Sequence, residues 1–346
     1  MTKSNQTDNH EALDRKRHLF DEVNRLKVYH PGLEKAQERI KRCHLFSSKN
    51  AEPMCLSIVG MTGVGKSTVK ETYAAKYPRS SQGAVEHVPI LYATVPEGPT
   101  PKTLVETLLR ALGDGAYDKG STVTKTSRLV MSLAACGVEL ILLDEFHHFA
   151  DRNQPKLMYR VADWLKVLIA ETHIPVVLFG LESCLDVFKH NEQLARRFSA
   201  RFALNPFDWD DDQSRKDFRG FLKTVAKKLP FRRVPLFHER ELAFRLYVAS
   251  GGCLGYLMRI IRGAALGAIE DGRDAVDEAD VERAYVEEVW DAELQPANPF
   301  SKEFDVVKAE KDREHQKARE RFIRKATAPS PDRASARAAL RGRRAA

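Results

Sequence analysis

Apolar positions along this chain follow two rhythms. Short continuous apolar runs recur at 55–59, 88–94, 138–143 and 174–179, with a weaker one at 201–206. Runs of this length, bounded by turn residues, predict buried strands. Between them apolar residues return every three to four positions, as at 103–112 and 158–172, which predicts helices. Strands alternating with helices at this spacing predict parallel strands joined by crossover helices, an α/β sandwich over 51–207. After Pro206 no strand is expected. Asp212 is placed to cap a helix with the apolar stripe Phe218, Phe221, Leu222, Val225 and Leu229. Further helices are predicted at 239–250, 254–270 and after Asp277, with Gly251-Gly252 and Gly272 as stops. Residues 208–296 are thus expected to form a small all-helical unit. Residues 1–50 read as a charged helical segment broken at His30-Pro31-Gly32, with a second helix over 33–46. No internal repeat is visible.

Length and composition narrow this picture. The 346 residues, 43% hydrophobic, suffice for a sizeable core and predict two domains or one with appendages. No apolar run approaches the roughly 18 residues of a membrane span, and the first twenty residues lack the apolar core of a signal peptide. The five cysteines, at 43, 55, 136, 184 and 253, are scattered and contain no CxxC pair. That argues against a disulfide framework and a zinc site, and it fits reduced thiols and a cytoplasmic location with no membrane. The charge is uneven. Of a formal net +8, residues 321–346 supply most, with eight Lys or Arg against the single acid Asp332. Such an Arg/Ala/Ser/Pro-rich tail over 297–346 is expected to be flexible, either a solubilising arm or a sequence-independent grip on phosphates.

Candidate chemistry begins at Gly60-Met61-Thr62-Gly63-Val64-Gly65-Lys66-Ser67. Glycines at this spacing let backbone N–H groups of residues 60 to 68, Thr68 included, wrap a phosphate chain. Lys66 adds charge at the β- and γ-phosphates, and the Ser67 hydroxyl is placed for Mg²⁺. With a strand before and a helix after, the pattern predicts a nucleoside triphosphate site. Leu140-Ile141-Leu142-Leu143-Asp144-Glu145 supplies the second element. Asp144, at the end of a buried strand, would hold Mg²⁺, often through water, while Glu145 would orient and polarise a water. This favours hydrolysis over transfer to a small molecule. In Gln193-Leu194-Ala195-Arg196-Arg197-Phe198-Ser199-Ala200-Arg201, arginine is placed to reach a neighbour's γ-phosphate, with Arg197 preferred and Arg196 next. Arg259, in a helix opened by Gly251-Gly252, is placed to fold back on the phosphates. His147-His148 follow the acidic pair directly. Adjacent histidines do not share a helix face, which argues against a metal site there and leaves His147 either to orient Glu145 or to report on nucleotide state. Tyr29-His30-Pro31 is a candidate to pack beside a base.

At this point the chain resembles an AAA+ ATPase, and more narrowly the TniB/TnsC family of transposition regulators. The narrower likeness rests on Val95-Pro96-Glu97-Gly98-Pro99-Thr100-Pro101-Lys102, Asp144-Glu145-Phe146-His147-His148, Asn205-Pro206-Phe207-Asp208-Trp209 and Ser250-Gly251-Gly252-Cys253-Leu254-Gly255. These span roughly residues 20 to 300; the basic tail lies outside. The resemblance implies a P-loop AAA+ sheet sandwiched by helices, followed by a helical lid. It implies ATP and Mg²⁺ as cofactors, and a homo-oligomeric ring or filament on duplex DNA that hydrolysis takes apart. It also implies a transposase and a target-selection protein as partners. By position, Lys102 and Thr103 at a helix N-terminus would face the DNA backbone, with Thr122, Thr124 and Lys125 as a second row. One departure is the fourth strand, which ends Val177-Leu178-Phe179-Gly180-Leu181-Glu182-Ser183, leaving Ser183 as the nearest polar substitute for a γ-phosphate sensor. Other readings are an AAA+ loader or remodeller acting on proteins, a small-molecule P-loop kinase, and a nucleotide switch without turnover.

Overall fold

Pro31 and the residues before it divide the N-terminal segment. Helix α1 (Thr2–Arg25) precedes the break and α2 (Pro31–Ser47) follows it, with Pro31 at the first helical position, where its missing N–H costs nothing. The structure, a computed structural model, describes residues 2–47, 52–82, 85–149, 155–290 and 297–313. The basic run of 321–346 lies outside the described residues.

Five strands make one sheet: β1 (Leu56–Val59), β4 (Ile90–Thr94), β5 (Leu140–Asp144), β6 (Val176–Gly180) and β7 (Ala200–Ala203). Their order is β4-β5-β6-β1-β7 and every pairing is parallel. The period of two along each strand sorts the core into two layers. Ile141, Leu143, Val176, Leu178 and Val59 face one side; Leu56, Ile58, Leu140, Leu142, Val177 and Phe179 face the other. Strands β1, β5 and β6 are buried on both faces, as a parallel sheet between helical layers must be. One layer is built by α4 (Pro101–Ala111), α5 (Thr122–Ala135) and α6 (Pro155–Thr172). The other takes α2 and α3 (Lys66–Ala74). Full burial of each Leu or Ile contributes about 1.5–3 kcal/mol, so these layers dominate the cohesion of the sheet.

Between β6 and β7 lies α7 (Glu192–Arg197). A two-stranded antiparallel ribbon, β2 (Ser80–Gln82) with β3 (Val85–His87), was not anticipated. Beyond residue 206 the described chain is helical, as expected: α8 (Asp212–Lys228), α9 (Arg240–Ser250), α10 (Leu254–Glu270) and α11 (Glu278–Glu288). The cap of α8 is Asp211, whose carboxylate accepts from Ser214 N, rather than Asp212, which is already the first helical residue. Asp277 caps α11 reciprocally with Asp280.

These helices share their own core, and α1 joins it through Val23, Leu19 and Phe20. Helix α2 instead packs Leu33, Ala36, Ile40 and Cys43 on the sheet. The N-terminal segment is therefore divided between two cores, and residues 26–30 bridge them. The last described residues also fasten to the lid. Trp209 Nε1 donates to Glu310 at 3.1 Å, Arg240 pairs with Glu310 at 2.9 Å, and Arg313 donates to Asp210 and to the Tyr247 hydroxyl at 3.3 and 2.9 Å.

Candidate nucleotide site and DNA-facing edge

The phosphate loop leaves β1 at its carboxyl end, where neighbouring strands β6 and β7 come from later in the chain. That is the place where open parallel sheets bind ligands. Gly65 precedes α3 with φ 101°, a left-handed conformation that glycine adopts without steric cost. Val64 is buried and pins the loop, while Thr62 and Ser67 are exposed at its surface. Lys66 Nζ donates to Gly60 O at 2.6 Å and Met61 O at 3.0 Å, holding it inside the curl of the loop. Burial pushes the Lys66 pKa below the ordinary lysine value, against the opposing pull of Glu145 and Asp144.

Asp144 closes β5 with one oxygen accepting from Glu145 N at 3.0 Å and the other paired with Lys70. Lys70 also donates to the Tyr92 hydroxyl at 2.6 Å, which in turn lies 2.7 Å from the Thr94 hydroxyl. Burial works to lower the Lys70 pKa, but the bonds to Asp144 and Tyr92 outweigh it and raise it. Sequence reasoning missed Lys70, although its signal was available: it lies one helical turn after Lys66, on the same face of α3. Glu145 adopts φ 55°, unusual for a side chain of its size and a mark of a constrained site. Oxygen donors for Mg²⁺ are present. The exposed Ser67 hydroxyl and the Asp144 carboxylate, which keeps lone pairs beyond its two bonds, suit a hard cation held partly through water.

A cavity of about 300 Å³ adjoins the loop, lined by Gly63, Gly65, Thr68 and Glu71 on one side and by Leu254, Gly255, Met258 and Arg262 of α10 on the other. Leu26, Val28, Leu33 and Phe221 give the cavity an apolar end of the character that a base needs. Lys27 pairs with Glu71 at 2.8 Å across its rim. The lid touches the loop directly: Gly255 N donates to Gly63 O at 2.7 Å, and Cys253 Sγ lies 3.5 Å from Thr62 O. A Cβ at Gly255 would sit 2.9 Å from the Gly63 Cα, so this approach requires glycine.

Two sequence assignments change here. Arg259 is exposed and its Nη1 reaches Glu288 O at 3.4 Å, away from the cavity. Positions 254, 258 and 262 share one face of α10, and 259 is a further 100° round the helix. Arg262 lines the cavity instead, with Nη2 on Leu26 O at 3.1 Å, a buried Nε without a hydrogen-bond partner, and a pKa lowered by burial. His30 does not line the cavity either. It packs tilted against Phe207 and edge-on to Phe221, with ring centroids 5.3 and 6.2 Å away, and Tyr29 is 45% exposed.

At the far end of α7, Arg196 is exposed, while Arg197 is half-buried with Nη1 lacking a partner. Of the two, Arg196 is the freer to reach outward. Ser183 is exposed, and the neighbouring Cys184 is buried, its thiol pKa pushed up to about 12 by burial against the opposing pull of Lys66. His147 and His148 depart from the divergence expected of adjacent residues. They lie in a 3-10 turn (Phe146–Phe149) with ring centroids 4.7 Å apart.

The residues assigned to DNA gather at the N-termini of α4 and α5, which pack side by side. Thr100 caps α4 reciprocally with Thr103, so the Thr103 hydroxyl is already engaged by Thr100 at 2.7 Å. Lys102 is exposed. Ser121 caps α5, with the exposed Thr124 hydroxyl 2.9 Å from Ser121 Oγ and Thr122 half-buried. Lys125 is a correction. Its side chain is fully buried and paired with Glu106 of α4, because one turn into α5 the helix faces its neighbour rather than solvent. It aligns the two N-termini and does not reach a ligand.

The model of the family described as Bacterial TniB protein matches residues 24–208, more than half of the chain. The chain belongs to the TniB family. No curated protein sequence matches it. Among solved structures, the Aeropyrum pernix ORC1 protein in complex with DNA is similar over 76% of this chain and 66% of its own, at 18% identity and TM-score 0.53. The chain thus spans just under two thirds of that protein. The Aeropyrum pernix ORC2 protein in ADPNP-ADP complexes matches over 80% of this chain and 74% of its own, at 18% identity and TM-score 0.55. Cdc6p from Pyrobaculum aerophilum matches over 78% and 70%, at 14% identity and TM-score 0.56. At these identities the likeness is one of fold, and the fold is that of AAA+ ATPases. In this TniB chain the matched stretch contains the phosphate loop, Asp144-Glu145, α7 and the N-termini of α4 and α5. The lid with Arg262 follows it.

Proposed function

We propose that this TniB-family protein is an ATP-hydrolysing switch that assembles on duplex DNA as a ring or filament and regulates transposition. In this reading it connects a target-selection protein to a transposase and is released by hydrolysis. The observation that carries it is the meeting of Lys66, Ser67, Asp144 and Glu145 at the carboxyl ends of β1 and β5, beside a cavity closed by the lid. Loop N–H groups and Lys66 bind the triphosphate. Bound Mg²⁺ would offset the charge of the phosphates. Ser67 and Asp144 supply oxygens for it. Lys70 holds the Asp144 carboxylate in place through their ion pair. Glu145 accepts a proton from the attacking water, and Arg262 brings a lid cation to the cavity rim. Arg196 or Arg197 serves a neighbouring subunit's γ-phosphate, so the site is completed by assembly.

The DNA assignment draws support from Lys102 and from the two adjoining helix N-termini, whose free N–H groups and positive dipole ends favour phosphate. The solved ORC1 relative in fold is described as bound to DNA, and the ORC2 relative as bound to ADPNP and ADP. A loader acting on protein partners is the second reading. A groove beside the same edge, lined by Val123, Tyr159, Trp164 and Val167, favours a protein contact there.

Negative-stain imaging with linear duplex DNA tests both readings, comparing ATP, a non-hydrolysable analogue, ADP and no nucleotide. Assemblies on DNA in the triphosphate states alone support the switch. Free rings indifferent to DNA favour the loader, and monomers throughout overturn the assembly and the arginine roles with it. Glu145→Gln should retain assembly while slowing phosphate release at least about 100-fold, the scale of general-base catalysis.

A further inference from the structure

Glu145, His147 and His148 converge in a way the nucleotide reading leaves unused. The left-handed φ of Glu145 turns the chain, and the 3-10 winding that follows advances side chains by a tighter step than an α-helix. As a result one ligand atom from each residue lies within 4.8 Å of the other two. Two further features are those of a metal site. His148 Nδ1 lies 3.0 Å from Val95 O. A carbonyl can only accept, so Nδ1 carries the proton and the Nε2 lone pair is left free. Metal-ligating histidines are oriented in this manner. His147 Nδ1 is 3.2 Å from Glu145 Oε2, yet it has no hydrogen bond of acceptable geometry and almost no access to water. Two donor atoms thus lie side by side without a proton aligned between them. Their separation matches the edge of a tetrahedron with metal–ligand bonds of about 2.0–2.1 Å.

We propose that Glu145, His147 and His148 form a three-ligand site for a divalent cation of the zinc class, distinct from the Mg²⁺ position, whose occupancy withdraws Glu145 from water activation. Two imidazoles and one carboxylate suit Zn²⁺, Co²⁺ or Ni²⁺ rather than Mg²⁺, which prefers oxygen. Three protein ligands leave a coordination position open. Nucleotide binding, which relies on the loop and Lys66, is unaffected; hydrolysis is inhibited reversibly. The binding rests on the geometry alone, whereas the inhibition also rests on the role proposed for Glu145.

The probe is Co²⁺ or Zn²⁺ added to the chelator-treated full chain, followed by calorimetry and by the visible absorption of Co²⁺. Cys43, Cys55 and Cys184 are raised by burial to about 11, 12 and 12, so they remain thiols at neutral pH. One ion per chain is expected, with a spectrum of nitrogen and oxygen ligation, and affinity reduced at least about 100-fold in His148→Ala and His147→Ala. Zn²⁺ at fixed free concentration, with Mg²⁺ in excess, should slow wild-type hydrolysis at least about 10-fold, while the His148→Ala rate with and without Zn²⁺ should agree. Thermal unfolding with and without Co²⁺ guards against a misfolded variant: the ion should raise the wild-type midpoint and leave that of Glu145→Gln nearly unmoved. A thiolate charge-transfer band, no saturable binding, or unchanged affinity in both histidine variants overturns the site. An ion that binds to a chain without ATPase activity sinks the proposed function and spares the site. Hydrolysis that proceeds at its full rate with the ion bound sinks the inhibition.

Discussion

At the scale of single residues, burial decides which ionisable groups act on ligands and which hold the fold. His30 is 6% exposed between Phe207 and Phe221, and burial lowers its pKa from 6.5 to about 4 against the pull of Asp217. Between those values the unfolded chain binds a proton that the folded chain refuses. Stability is therefore complete above pH 6.5, declines as pH falls toward 4, and then levels, with a total loss of about 3 kcal/mol. Urea titrations at several pH values should show that slope, and His30→Leu should flatten it. Lys125 makes the complementary case. Its partner Glu106 is 20% exposed, and Lys125→Ala should cost about 3 kcal/mol by leaving that carboxylate unpaired. A Lys125→Met, Glu106→Leu double variant should recover most of the loss in the same denaturation assay. The phosphate loop was legible because its residue types and spacing are dictated by the ligand. The burial of Lys125 was not, because a lysine near a helix start looks the same in sequence whether that turn faces solvent or a neighbouring helix.

At the scale of elements, the phase of α10 determines which arginine lines the cavity beside the phosphate loop. Arg262 shares a face with Leu254 and Met258 along the cavity; Arg259 does not. Arg262→Ala should weaken ATP binding about 10-fold, the loss of one charge-assisted contact, and Arg259→Ala should change it less than about twofold. Isothermal titration of the two variants separates them, and equal effects would return the role to Arg259. The strands were legible from their unbroken apolar runs, since a strand buried on both faces has no polar positions to interrupt it. The ribbon β2–β3 was not, because Ser80-Ser81-Gln82 carries no apolar alternation. The convergence of His147 with His148 was hidden for a related reason. Helical spacing rules assume an α-helix, and the turn after β5 is 3-10. The Asp211 cap differed from expectation by one residue because two adjacent aspartates offer the same chemistry.

At the scale of the whole molecule, long-range behaviour follows from how two cores are joined. The adjoining starts of α4 and α5 form an edge whose only assigned free cation is Lys102, and a phosphate contact reads no sequence. Lys102→Ala should weaken duplex binding alike on unrelated sequences. It should also reduce the slope of log affinity against log salt by about 0.9 for each contact removed. Fluorescence anisotropy across a salt series measures both, and an unchanged slope would take Lys102 off the DNA. The two-layer plan was legible from alternation alone, but the division of the N-terminal segment between two cores was not, because α1 and α2 carry similar charged, amphipathic patterns.

The fastening of residues 305–313 also acts at this scale. Glu310 is held by Trp209 and Arg240, and Arg313 by Asp210 and Tyr247, so the chain departs from the lid and not from the sheet. Any change in the angle between the lid and the phosphate loop would therefore carry Glu310 and Arg313 with it, so the far end of the described chain takes its position from the lid.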